Sequence, residues 1–113
     1  MNDTVMNPDL DLARRMVCSR PTQFPDGFES WIVDNWQIWK YFERRAHRLW
    51  EAGVRHAGAR MIGEHIRYLT SLRERDVMFK VNDHAWPSCA RLYMGLHPER
   101  PLFETRTSER RAA

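Results

Sequence analysis

The chain has 113 residues, of which 42% are hydrophobic and 12% aromatic, too apolar for a disordered segment and near the size that folds around one core. No apolar run approaches the roughly 20 residues that cross a bilayer, and the opening stretch, with Asp3, Asp9 and Asp11, is not built like an export signal. The net charge of +3 is unevenly spread: residues 1–35 carry three arginines against six acids, whereas residues 36–75 carry nine basic residues against four acids, which concentrates positive charge on the middle of the chain.

Residues 1–26 read as an N-terminal arm, in which Leu10, Leu12, Ala13, Met16 and Val17 trace a short helix before Pro21 and Pro25 interrupt it. The turn signal Pro25-Asp26-Gly27 leads into a single helical domain expected over 27–106, and residues 107–113 are expected to be a polar, frayed tail. From about Ser30 to Ala52, Ile32, Trp36, Trp39, Phe42, Ala46, Leu49 and Trp50 recur at three- and four-residue steps, the pattern of one long amphipathic helix. Gly53 follows as a helix stop. Lys40, Arg44, Arg45 and Arg48 sweep across its outer side. Glu43 breaks the apolar arc, with His47 one turn on as a hydrogen-bond partner.

A second helix is predicted from about Ala57 to Arg73, with Ile62, Ile66 and Leu69 inward and Arg60, Glu64 and Arg67 outward. Val77 to Val81 alternates like a short strand and ends in Asn82-Asp83, a turn or cap. A third helix begins near Pro87, where a missing N–H costs nothing, carries Ala90, Tyr93 and Met94 inward and stops at Pro98. Leu102 to Thr105 is expected to pair with the first strand. The fold class is therefore mainly α, a three-helix core with a short two-stranded β ribbon, compatible with a helix-turn-helix or winged-helix-like arrangement.

Catalytic and metal motifs are absent: there is no GxSxG, P-loop, HExxH or paired CxxC. Cys18 and Cys89 stand far apart, as expected of reduced thiols in a cytoplasmic protein. His47, His56, His65, His84 and His97 are scattered without a ligand-like spacing, so no metal and no cofactor are expected. Asp76, Lys80 and Asp83 surround the predicted strand but lack the second clustered carboxylate of a metal nuclease. Trp36, Trp39 and Trp50 share the core face, which leaves Trp31 and Trp86 less constrained.

The basic surface remains. A helix, the link from Gly53 to His56 and a second helix resemble a helix-turn-helix plan, with Arg55, His56, Arg60 and Arg67 around the start and outer side of the second helix. In an arginine-rich chain, with sixteen Arg to two Lys, such residues also occur on any solvated face.

The segment from Phe42 to Phe103 resembles a family of small proteins of bacteria and their phages. The likeness rests on Phe42, Ala46 and Gly53, then Ala59-Arg60-x-Ile62-x-Glu64-x-Ile66-Arg67-Tyr68, Phe79-Lys80-Val81-Asn82, Ala90-Arg91-Leu92-Tyr93-Met94 and His97-Pro98. Where that family tends to place Ser before the Ala-Arg pair, this chain has Gly58. The resemblance implies no catalytic residues; it implies a regulator or an inhibitor of a host system.

The leading expectation is a non-enzymatic nucleic-acid-binding protein, for DNA first, with Lys40, Arg44 and Arg48 on phosphates and Arg55, Arg60 and Arg67 positioning the second helix. The alternative is a phage-type inhibitor that binds a host protein, such as a defence-system component, using Trp31, Trp86 and Arg91 as anchors. Neither reading expects a membrane or a small-molecule substrate. A third, a small enzyme, needs a pocket where carboxylates and histidines converge.

Overall fold

The computed structural model describes residues 7–71 and 85–104. The first helix, α1, spans Pro8–Ser19. Asn7 caps it, its Oδ1 accepting the Leu10 N–H at 3.1 Å, and Pro8 fills the first position, where no donor is needed. Ala13 and Val17 are buried, so the segment expected as an arm is a helix seated in the core, packed against the second and fifth helices.

The Pro25-Asp26-Gly27 signal forms a tight turn. The Phe28 N–H donates to the Pro25 carbonyl at 3.1 Å, and Gly27 takes φ 93°, ψ −12°, the third-position geometry of a type II turn. The long helix expected from Ser30 is two helices, α2 (Phe28–Asp34) and α3 (Trp36–Glu51). Asn35 divides them. Its side-chain amide donates to the Trp31 carbonyl at 3.0 Å while its own carbonyl accepts from Ile38 and Trp39, a short polar side chain competing with the backbone ladder.

Gly53 ends α3 as the sequence predicts. At φ 97° it lets its own N–H reach the Trp50 carbonyl and the Val54 N–H reach Leu49, each at 3.0 Å, the paired bonds of a Schellman motif. Helix α4 (Ala59–Ser71) starts on the Gly58 carbonyl, which accepts from Met61 at 3.1 Å. Helix α5 (Ala85–Leu96) holds Pro87 in its first turn, where its lack of an N–H is harmless.

The expected two-stranded ribbon is not found, and the fold is corrected to five helices with no strand among the described residues. Residues 77–81, the first of the two expected strands, lie outside the described residues. In the second, Phe103 makes an isolated parallel bridge to Ala57, and the Ala57 N–H donates to the Leu102 carbonyl at 3.0 Å. Leu102 and Phe103 are adjacent yet both buried, the mark of a tail pressed into the core; a one-sided strand would bury alternate residues.

Helix α3 packs on α2, α4 and α5. The core is a train of aromatic rings. Phe24 stacks on Phe28, Phe28 on Trp31, Trp31 meets Trp86 edge-on, and Trp86 stacks on Phe42, with centroid spacings from 5.5 to 6.5 Å. From Phe42 it continues through Phe103 to Tyr93. Gly63 on α4 makes room for Trp86: a Cβ there would lie 2.2 Å from the indole Cε2.

Candidate functional site

Where α3 passes the end of α5, the sequence puts polar groups against the core. Glu43 and His47 sit one turn apart on the flank of α3, and His97 follows the last residue of α5. The His97 N–H donates to the Tyr93 carbonyl at 2.9 Å, and Arg100 N–H to the His97 carbonyl at the same distance, so the chain turns here and brings both side chains back over α3.

Glu43 is the hub. One oxygen accepts from Lys40 Nζ at 2.8 Å and the other meets His97 Nε2 at 2.8 Å. Burial pushes the Glu43 carboxyl up, but the hydrogen bonds from Lys40 and His97 outweigh it and hold it below the ordinary carboxylate range. His97 therefore donates its Nε2 proton to a carboxylate. The sequence pairs Glu43 with His47; the partners in the structure are Lys40 and His97.

His47 Nδ1 lies 2.7 Å from the Tyr93 hydroxyl and 3.0 Å from Arg100 Nη1. Arginine can only donate, so Nδ1 presents its lone pair and the ring proton sits on Nε2. Burial, the neighbouring His97 and Arg100 lower the His47 pKa, and burial raises that of Tyr93. The histidine stays neutral and the phenol protonated. The rings of His47 and His97 are 4.7 Å apart at 76°. One donor atom from each of Glu43, His47 and His97 lies within 4.8 Å of the other two.

This cluster opens into a depression of about 410 Å³, whose walls include Leu12, Trp36, Leu96 and Arg44. Lys40 lies 5.6 Å above the Trp36 ring and 3.7 Å from Asp9 of α1.

The six residues expected to contact nucleic acid are not equivalent. Arg44 and Arg48 lie exposed on α3; Arg44 leans on the Tyr41 ring at 5.9 Å, and neither has a carboxylate partner among the described residues. Lys40 is held by Glu43 and Asp9. Arg55 folds back, its guanidinium 3.7 Å above the Trp50 ring and bonded to the Trp50 and Val54 carbonyls, where it caps the C-terminal end of α3. On α4, Arg67 pairs loosely with Glu64 at 3.9 Å, and Arg60 is exposed.

The alternative anchors are engaged within the chain to different degrees. Trp86 is 2% exposed, Trp31 packs edge-on against it, and Arg91 Nε donates to the Gln23 carbonyl at 2.9 Å. They pack the core and tie the loop before α2 to α5, so Trp86 is corrected from a surface anchor to a core residue.

Of the histidines expected as scattered, His47 and His97 are brought together, and that convergence is what sequence reasoning missed. The one sequence signal was Glu43, a charge on an otherwise apolar arc. Comparison with known protein families, with curated proteins and with solved structures finds no match to this chain, so the likeness to small bacterial and phage proteins rests on the residues quoted for it.

Proposed function

We propose that the chain is a binding protein for nucleic acid, DNA in the first instance, which it engages without turnover through the outer flank of α3. The observation that carries this reading is the pair Arg44 and Arg48, one turn apart on a rigid helix, exposed and with no carboxylate partner among the described residues. Unsatisfied guanidinium groups at that spacing suit successive phosphates. Lys40, one turn before Arg44, joins the contact by leaving Asp9, its weaker partner at 3.7 Å. Arg60 and Arg67 on α4 add general positive potential. Arg55, tied to the α3 terminus, stabilises the helix end and makes no phosphate contact. An origin in a bacterium or phage is part of the same proposal and rests on the residues quoted for that likeness.

The test is a fluorescence-anisotropy titration of labelled duplex DNA across salt concentrations. The log–log slope should be steep, and Arg44→Ala and Arg48→Ala should each weaken binding to every sequence alike and reduce the slope by about one. Unchanged affinity in the double variant at low salt overturns the reading. The host-protein alternative is the weaker reading, because Trp86 is buried in the core, Trp31 packs against it and Arg91 is tied to the Gln23 carbonyl.

A further inference from the structure

We infer that Glu43, His47 and His97 form a binding site for a Zn²⁺-class divalent cation. The inference stands apart from the nucleic-acid reading, since the arginines that carry that reading are not its ligands.

Two imidazoles and one carboxylate are a borderline-soft donor set that suits zinc and its neighbours and excludes magnesium or calcium, which demand oxygen. Their placement is that of a metal site. Glu43 and His47 are one helical turn apart, so both project from one face of α3, and His97 arrives from a different element to complete a triangle. The donors are within 4.8 Å of one another. Tetrahedral zinc with ligands at about 2.0–2.2 Å wants them nearer to ~3.4 Å. The triangle closes by side-chain rotation, because all three residues are only partly buried at the lip of the depression.

The hydrogen bonds in place also fit. The Glu43–His97 bond at 2.8 Å is exchanged for two coordinate bonds, the neutral His97 ring moving its proton from Nε2 to Nδ1 through solvent so that no net proton is lost. His47 already presents an unprotonated Nδ1, the form a metal requires. Two groups share that lone pair, the Tyr93 hydroxyl at 2.7 Å and Arg100 at 3.0 Å. His47 turns off the buried hydroxyl as the triangle closes, and Arg100 has somewhere to go, since its guanidinium lies 3.9 Å from Glu51 and 4.0 Å from Glu99, both exposed. Lys40 remains on the second Glu43 oxygen and orients it, as an outer hydrogen-bond partner does in established metal sites. Lys40 and Arg100 oppose a cation, so affinity is set by how readily Arg100 swings out.

Three protein ligands leave a coordination position open, the arrangement of reactive sites; structural zinc is usually enclosed by four. Here the open position faces the 410 Å³ depression.

The experiment titrates the untagged full chain with Zn²⁺ by calorimetry, and with Co²⁺ by visible absorption, which reports coordination geometry. Wild type should take up one ion per chain with the intense bands of low-coordinate cobalt. Glu43→Gln and His97→Ala should each weaken binding at least tenfold, His56→Ala on the exposed link between α3 and α4 should leave it unchanged, and Arg100→Ala should tighten it severalfold. Glu43→Gln preserves shape, so it decides the matter if His97→Ala loses helical circular dichroism. Three results each overturn the inference: no stoichiometric uptake by wild type, equal affinity in Glu43→Gln, or loss of binding in Arg100→Ala. Uptake of inorganic phosphate at this site with indifference to zinc also overturns it, by showing that Lys40 and Arg100 dominate.

Discussion

The two ends of α5 are built on opposite terms. At its start, Trp86 lies flat on Gly63 and against Phe42, and among the described residues neither the Trp86 nor the Trp31 indole N–H finds an acceptor. That end is held by close aromatic packing. At the other end, Tyr93 and His97 lie in a hydrogen-bonded network with Glu43, His47 and Arg100, beside the open depression. Aromatic burial is concentrated at the first end, and the titratable groups gather at the second, the wet one.

The widest separation should come from Phe42→Ala, which removes the ring that touches Trp39, Trp86 and Phe103. A loss of about 3–5 kcal/mol is expected, read as the shift in a urea melt. Gly63→Ala comes next. Alanine favours a helix over glycine by about 1 kcal/mol, but the 2.2 Å approach to Trp86 forces repacking that costs typically 1–3 kcal/mol, so a net loss is expected. A more stable Gly63→Ala protein would show that Trp86 is not locked there.

At the wet end, Glu43→Gln should lower stability by about 1 kcal/mol or less, since the amide still accepts from Lys40 and no cavity forms. If it unfolds the chain while Gly63→Ala is tolerated, the contrast between the ends is reversed. The smallest effect is one of pH. Burial, with His97 and Arg100, keeps the His47 pKa below its ordinary value in the folded chain. On acidification the unfolded chain is thus protonated first. The stability linked to His47 is complete above the ordinary histidine range and is lost as pH falls through the lowered folded value. Melting temperatures of wild type and His47→Gln should converge across that window; parallel curves would show that His47 is not the group responsible.

Much of this fold is legible in the sequence because it is local. The apolar steps from Trp36 to Trp50, the Gly53 stop and the Pro25-Asp26-Gly27 turn each depend on a few neighbours. The break at Asn35 is hidden, because Ile32 and Trp36 keep the apolar rhythm across it and only the Asn35 amide bond to the Trp31 carbonyl reveals it. The ribbon fails because alternation over four or five residues does not distinguish a strand from a buried tail such as Leu102-Phe103. The site is half legible. Glu43 stands out as a charge among core positions, but its partner His97 is 54 residues away, and nothing in spacing predicts a contact made by the tertiary packing of α3 against the end of α5.

The train of rings from Phe24 to Tyr93 has a mechanical consequence. Tyr93 has no exposed surface and sits 5.3 Å from the His47 ring and 4.8 Å from the His97 ring. The two imidazoles are thus backed by the buried aromatic core. A guest arriving from solvent meets two rings with one wall already fixed, and what it must still reorder is Arg100 and the Glu43–His97 bond.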